Sequence, residues 1–488
     1  MLYRIGGRVE FAFDFKNYVG GKEVLLSGKN FLVESEFYPN YRINAPETGL
    51  FDIKTTVSKA RSAIPECKNL SFDERVEILE RASKMFSLNK EESEYVVKNT
   101  GMPISTVNEL SLQIKEIYKR LPILIEGRIG SKHGKFGQVV SEELGLFAFF
   151  EPINGFVYAV TPGNDIRVGG FIAAWLVSLG LPGVFKCSKN DILTAQKSVR
   201  VLTEAGYPEG ALNVLCWDTS KPENSKLNFE LADSAKAVWA YGDDNTVDTL
   251  LRFEEKENGL VVDHFSDKIV LRHATGRSAA VCDNEIDVKK IADTIVESAL
   301  MWPIGCNAMK MVFDASKQKK ELLQILQEKF EEFGKYVGDP MDSKTKVGFV
   351  SQKLLNHVWG RLTDLKKIGL IEMKTGEKKS EIQTTPLLLE TRDKNSEFLN
   401  TEFSLYVLTL KECSSFEEAL AEVNESAGPL KRLAVSIFSH DEEKILKSYT
   451  HAHHVGRMRH TTEIDLLFHE GNDYFHKLTV PQVHKSKA

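Results

Sequence analysis

Short apolar strands alternate with amphipathic helices from Phe147 to about residue 262, and this pattern limits the fold more than any other feature of the chain. "GFVYAVTP" reads as a strand, residues 168–180 as a helix, "GVFKCS" as a strand and "ILTAQKSVRVLTEAG" as a helix. "ALNVLCW" and "AKAVWAYG" read as two further strands, and "NTVDTLLRFEE" as another helix. Strands separated by helices are joined by right-handed crossovers and pair in parallel. The expectation is an α/β fold with a doubly wound, nucleotide-binding type of domain. A second alternating series begins near Lys268 and runs to about residue 445, so a second α/β domain is expected to follow.

The flanking segments follow other patterns. The first ~50 residues read as short strands and turns, such as "KEVLLSG" and "NFLVESE". Ser71 and Glu74 form a capping box, and apolar residues recur at helical spacing behind it. Residues 121–144, "LPILIEGRIGSKHGKFGQVVSEEL", carry glycine punctuation and alternation, which predicts a hairpin.

At 488 residues the chain exceeds one ordinary domain. A net charge of −6 draws it toward neither nucleic acid nor anionic lipid. The start of the chain lacks an apolar core with a small-residue cleavage site, so no secretion signal is expected. The longest uncharged run, residues 168–185, is long enough to raise a membrane span. Gly180, Pro182 and Gly183 interrupt it, and the prediction is a buried helix, a turn and a buried strand. Six cysteines at unrelated spacings form neither a zinc pattern nor a disulfide framework, which points to a reducing cytoplasm.

One of the six cysteines stands out. In "ALMWPIGCNAMKMVFDAS", Cys306 follows a proline and a glycine on a turn before an apolar run. A thiol there is either buried filler or a nucleophile.

The order of turns along most of the chain resembles the aldehyde dehydrogenase superfamily. "EPINGFVYAVTPGND" is similar to that family's segment ending in Thr-Pro-Trp-Asn, and "PGVFKCSKND" to its Lys-Pro-Ser-Glu stretch. "AGYPEGALNVL", "YVGDPMDSKTKVGFV" and "SSFEEALAEVNESAGPLKRLAVSIFSHD" match further family segments in order. The resemblance implies that Cys306 is the nucleophile and that Asn164 donates to the oxyanion. It implies cofactor contacts at Thr161, Lys186, Ser188, Lys189, Gly242 and Glu402.

Departures from the family pattern sharpen the expectation. The family's Gln before the cysteine is absent from "PIGCNA". The stretch "RHATGRSAAV" puts His273 where the family carries the glutamate that activates water for acyl-enzyme hydrolysis. Family members that exchange acyl groups with coenzyme A often lack that glutamate, and "AKAVWAYGDDNTVDTL" and "HEGNDYFHKLTVP" resemble their branch. Imidazole is itself a competent base near neutral pH, so His273 could equally restore hydrolysis, or simply pack. Lys189 stands where a carboxylate often binds the adenosine ribose, which favours NADP(H), with NAD(H) still possible. Asp243, Asp244 and Val247 alter the turn expected to cradle the pyrophosphate, and Glu402 in "NTEFSLYV" falls one place out of register.

"THAHHVGRMRH" at residues 450–460 places His451 and His454 close together without a partnering carboxylate, so it reads as a polar interdomain loop rather than a metal site. Arg167, Arg457 and Arg459 are candidates to hold a substrate carboxylate or CoA phosphates.

The expected architecture is a cofactor domain (residues 1–120 and 145–262), a catalytic domain (263–445) and a small β oligomerisation arm (121–144 and 463–482). By resemblance the active site lies in the cleft between the first two, in a homodimer or homotetramer. The expected function is reduction of an acyl-CoA to its aldehyde with NADP(H) and coenzyme A, with no nucleic acid, metal or membrane span involved. The alternatives are a hydrolytic aldehyde dehydrogenase with His273 as base, and a catalytically silent protein of the same fold. Both fatty acyl and malonyl- or succinyl-type substrates fit the sequence.

Overall fold

The computed structural model describes residues 12–132, 135–141, 146–243, 246–247, 254–257, 260–263, 268–300, 305–426, 432–448, 452–457, 466, 468–469 and 472–485. The chain divides into two compact units, residues 1–99, 109–273 and 472–488, and residues 100–108 and 274–471.

The first unit is built on a seven-stranded sheet. Its parallel part runs Ile269–His273, Ala237–Tyr241, Val157–Val160, Gly183–Lys186, Leu212–Leu215. The short N-terminal strands Asn17–Val19 and Lys22–Val24 add antiparallel to the Leu212 side. Val157–Val160, Gly183–Lys186 and Leu212–Leu215 are buried along their whole length, as strands of a parallel sheet covered on both faces must be. The uncharged run resolves as the sequence predicts. A buried helix, Arg167–Leu179, stops at Gly180 in the left-handed region (φ 72°), and the buried strand Gly183–Lys186 follows. Among the described residues no helix is long and apolar enough to cross a membrane. The capping box at Ser71 and Glu74 forms as expected: Glu74 N–H donates to Ser71 Oγ (3.2 Å) and Ser71 N–H to Glu74 Oε2 (2.7 Å).

Two boundaries differ from the sequence reading. Ile269–His273, assigned above to the second domain, pairs in register with Ala237–Tyr241 and closes the first sheet. The expected hairpin at 121–144 is half helix: Ile104–Ile129 runs as one helix through Pro122. Ile114, Tyr118, Leu121, Ile125 and Ile129 form a buried stripe at helical spacing. Each is worth about 1.5–3 kcal/mol on burial, which together outweighs the ~3 kcal/mol cost of an interior proline. The strand Lys135–Ser141 then pairs antiparallel with Leu146–Pro152. Leu146–Pro152 pairs on its other edge with Thr479–Lys485, giving a four-stranded sheet. Most of 463–471 lies outside the described residues; residues 474–478 are a short helix and not a strand.

The second unit has its own seven-stranded sheet, in the order Ile371–Thr375, Leu387–Thr391, Val407–Glu412, Met311–Asp314, Ala279–Cys282, Arg432–Phe438, Ala452–Arg457. All pairings but the first are parallel. Ala452–Arg457 corrects the loop expected at 450–460: it is an edge strand, with His454 opposite Ala434 and Arg457 opposite Ile437. His451 and Arg459 lie outside the described residues. Helices Val288–Leu300, Lys319–Gly334 and Gln352–Lys367 supply Ile291, Ile295, Leu322, Leu326, Leu355 and Val358 to one apolar core with the sheet.

Candidate active site

The first sheet offers a ligand crevice by topology. In sequence order its parallel strands lie 5-4-1-2-3, so the direction of winding reverses beside Val157–Val160. Ligands of open α/β sheets bind outside the carboxyl ends of the strands at such a point. Of the residues expected to contact the cofactor, Thr161, Lys186, Ser188, Lys189 and Gly242 lie at or just beyond the carboxyl ends of these strands, while Glu402 belongs to the second unit. Thr161 ends the first strand, and its N–H donates to Lys186 O (3.0 Å) on the neighbouring strand. Its hydroxyl is buried and has no hydrogen-bond partner among the described residues. A β-carbon on Gly163 would meet Ser188 Oγ at 2.5 Å, so the two loops lie in close contact. Lys186 is buried, with its ammonium 5.7 Å from the centre of the Trp217 ring. Lys189 is exposed, and Asn164 sits half-buried on the loop after Thr161.

These residue types suit the adenosine end of a dinucleotide: a buried hydroxyl, two loops in close contact and two lysines lie at or just beyond the carboxyl ends of adjacent strands. The turn at Gly242 is different. Gly242 N–H donates to His273 O (3.2 Å), and the Asp243 carboxylate accepts from Thr246 N–H (2.6 Å). An aspartate therefore caps the amide that a phosphate would use at a helix start.

Arg167 is engaged locally. Its Nε and Nη2 grip the Asp165 carboxylate (2.9 and 2.6 Å), and Nη1 reaches Gln113 Oε1 (2.6 Å). A fork filled by a neighbouring carboxylate is a poor receptor for a substrate carboxylate.

His273 is 1% exposed. Its ring stacks on Tyr241 (centroids 4.3 Å apart, 18° between planes), and Nε2 shares a 3.1 Å hydrogen bond with the Tyr474 hydroxyl. Trp239 stacks on Tyr474 in the same cluster (4.4 Å). The imidazole is packed and hydrogen-bonded, which is the arrangement of a core histidine.

In the second unit, Cys306 lies on the turn between Val288–Leu300 and Met311–Asp314, and it alone of the six cysteines is partly exposed. None of the six cysteines is in a disulfide. Burial pushes the Cys67 thiol up to about 11 and that of Cys413 up to about 12, and it raises Cys187 and Cys282 well above the usual range. Those four are held as inert thiols, since the thiolate is the nucleophile.

The turn at residues 274–278 presses on Cys306. Ser278 Oγ donates to the Cys306 carbonyl (3.4 Å), and Gly276 packs directly against that carbonyl. Glu402 Oε2 accepts from Gly276 N–H, and also from Arg277 N–H at 3.2 Å. Buried Arg432 donates to Arg277 O (2.6 Å), Leu399 O (3.1 Å) and Val423 O (2.8 Å). Burial pulls its guanidinium down to about 9, with Arg277 adding to the effect, so it stays charged at neutral pH. Lys310 is buried, donates to Leu405 O (2.8 Å), and is driven far below its usual range by burial, with Glu402 opposing.

Arg432 and Lys310 escaped the sequence reading. Their signal was a single charge inside an apolar run, in "RLAVSIF" and "AMKMVF". Among the described residues no group of three or more His, Cys, Asp or Glu is placed to hold a metal.

Comparison with known proteins bears on the family and the fold. The sequence profile described as "Aldehyde dehydrogenase family" matches residues 39–463. A betaine aldehyde dehydrogenase from Vibrio vulnificus (strain YJ016) is 22% identical over 371 residues, covering 72% of this chain and 70% of that protein. A salicylaldehyde dehydrogenase from Pseudomonas putida G7, complexed with salicylaldehyde, superimposes with a TM-score of 0.81 over 98% of both chains at 14% identity. An NADP-dependent glyceraldehyde-3-phosphate dehydrogenase from Bacillus halodurans C-125, complexed with NADP, gives 0.80 over 97% of this chain and 99% of that one at 19% identity. At such identities the superpositions speak for the fold, while the profile spans most of the sequence. The chain therefore belongs to the aldehyde dehydrogenase family, oxidoreductases that act on aldehydes with NAD or NADP.

Proposed function

We propose that the chain is a CoA-acylating aldehyde dehydrogenase that reduces an acyl-CoA to its aldehyde, with NADP(H) preferred. The observation that carries this reading is the state of His273. It stands where the family places a water-activating glutamate, and it is buried, stacked on Tyr241 and bonded to Tyr474. Hydrolysis of a thioester needs a positioned base, worth on the order of 10²–10⁴-fold. Transfer to coenzyme A does not, because its thiol ionises far more readily than water.

In this mechanism the Cys306 thiolate attacks the thioester carbonyl of the acyl-CoA. Asn164 donates its side-chain amide to the resulting oxyanion. The C–S bond to coenzyme A breaks, CoA leaves as thiolate, and Cys306 holds the acyl group. NADPH, when bound, supplies the hydride that reduces this acyl group. Collapse of the reduced adduct breaks the bond to Cys306, returns its thiolate and frees the aldehyde. Thr161, Lys186, Ser188 and Lys189 would hold the dinucleotide, with Gly242 supplying only a tight turn whose own N–H is already given to His273 O, and the exposed Lys189 ammonium would favour a 2′-phosphate. The pairing of Arg167 with Asp165 removes one argument for a substrate with a second carboxylate. The four-stranded sheet containing Leu146–Pro152 and Thr479–Lys485 serves as the arm of a homodimer or homotetramer.

The rival reading is a hydrolytic aldehyde dehydrogenase with His273 as base. It draws on relatives such as the one named betaine aldehyde dehydrogenase. The burial of the imidazole argues against its meeting water.

The test is one incubation with aldehyde and NADP, with and without CoA, its products resolved by chromatography, beside NADPH oxidation across a panel of acyl-CoAs. CoA-dependent formation of acyl-CoA supports the reading, and brisk release of free acid without CoA overturns it. Cys306→Ala should abolish turnover with folding intact; activity above about 1% of wild type would remove Cys306 as the nucleophile.

A further inference from the structure

The sequence resemblance assigns Glu402 to the cofactor, but its carboxylate is engaged elsewhere. Gly276 and Arg277 present two successive N–H groups to the same oxygen, Glu402 Oε2. Arg277 adopts the left-handed region (φ 48°), rare for a residue with a β-carbon. Successive amides in such a conformation form a concave anion-binding nest, and here Glu402 supplies the anion. The carbonyls of the same turn are also taken. Leu433 N–H donates to Gly276 O (2.7 Å), Arg432 Nη1 to Arg277 O (2.6 Å), and Lys310 N–H to Ser278 O (2.9 Å). The opposite side of the turn rests on the Cys306 carbonyl, through the close approach of Gly276 and the 3.4 Å bond from Ser278 Oγ.

We propose that Glu402 is a positioning residue for Cys306, acting through the Gly276–Arg277 turn, and is not primarily a ligand of the cofactor ribose. The proposal rests on Cys306 being the nucleophile. Its physical content is a chain of rigid contacts. A carboxylate on two amides is a charge-assisted hydrogen bond, roughly twice as strong as a neutral one. It holds a backbone conformation that a non-glycine residue otherwise avoids. That turn sets where the peptide following the thiol can lie. Displacing a reacting group by about 1 Å can cost on the order of 10²-fold in rate. Arg432 grips the same turn from its carbonyl side, so the Glu402 carboxylate and the Arg432 guanidinium act as two jaws on one turn.

A ribose ligand and a positioning residue predict different phenotypes. The experiment compares wild type, Glu402→Ala and Glu402→Gln without cofactor. Iodoacetamide alkylation of Cys306 is followed by peptide mass spectrometry from pH 6 to 10, with amide hydrogen exchange measured over residues 274–278. NADP(H) affinity and kcat are then measured separately. If Glu402 positions the turn, Glu402→Ala should speed exchange at Gly276 and Arg277 by about tenfold or more and change the pH profile of alkylation. It should lower kcat by about tenfold or more, while the cofactor Kd stays within about threefold. Glu402→Gln keeps an oxygen acceptor for the two amides and should restore most of kcat. Should Glu402→Ala not fold, Glu402→Asp carries the same comparison with a carboxylate one methylene shorter. Unchanged exchange and alkylation, or a cofactor Kd raised about tenfold with kcat retained, would overturn the proposal. Neither apo readout requires turnover, so failure of the acyl-CoA reductase reading would show in product analysis and leave these measurements interpretable.

Discussion

A β-carbon at residue 276 would lie 1.7 Å from the carbonyl oxygen of Cys306, so Gly276 and Cys306 are bound into one arrangement that admits no side chain at 276. The obstacle is backbone, which cannot swing aside as a flexible side chain would.

Gly276→Ala should therefore displace the Cys306 turn. The expected result is a fall in kcat/KM on the order of 10²-fold or more, with the cofactor Kd changed far less. Steady-state kinetics beside cofactor titration checks this; an alanine variant with near-wild-type kcat would refute the packing argument.

His273→Ala removes the stack on Tyr241 and the bond to Tyr474. A loss of about 2–4 kcal/mol in stability is expected, comparable to other buried ring truncations. Tyr474→Phe, which deletes only the hydroxyl, should cost about 1 kcal/mol. Neither change should abolish CoA-dependent turnover by the folded fraction. If His273→Ala instead eliminates release of free acid, the imidazole is a base.

Lys189 is exposed on the loop after the strand Gly183–Lys186, so its charge can be reversed without disturbing the core. Lys189→Glu should reduce the ratio of kcat/KM for NADPH over NADH by about tenfold, the effect of roughly 1.4 kcal/mol. An unchanged ratio would remove this lysine from cofactor choice.

Asp191 caps the helix Ile192–Glu204, its Oδ1 accepting from Thr194 N–H at 3.3 Å. Burial pushes its carboxyl up to about 7, against the Thr194 hydrogen bonds, with Asp165 adding to the rise. An unfolded aspartate titrates near 3.9. Between about pH 4 and 7 the folded chain thus holds a proton that the unfolded chain has released. Stability from this site falls as pH rises through that window and is level above it. Asp191→Asn keeps a good capping group without the ionisation. The variant should melt several degrees above wild type at pH 8, with the gap closing toward pH 5. Thermal melts at both pH values decide it, and a gap independent of pH would count against the buried proton.

Much of the first sheet was readable in the sequence because its signals are local. The helix and strand split at Gly180, the capping box at Ser71 and the alternation of strands and helices from Val157 to Tyr241 depend on residues within one or two turns of each other. A thiol on the Gly305 turn was equally visible. Other features depended on distant partners. Ile269–His273 could pair in either sheet by pattern, and only contact with Ala237–Tyr241 decided between them. The helix through Pro122 exists because its apolar stripe is buried, which outweighs a local breaker. The histidine-rich stretch became an edge strand because Arg432–Phe438 offered it a backbone ladder. The grip of Glu402 on Gly276 and Arg277 spans over a hundred residues of sequence. Periodicity and turn chemistry determine which elements form. Which side chain meets which amide across such a distance is set by how those elements pack, and that the tertiary structure alone decides.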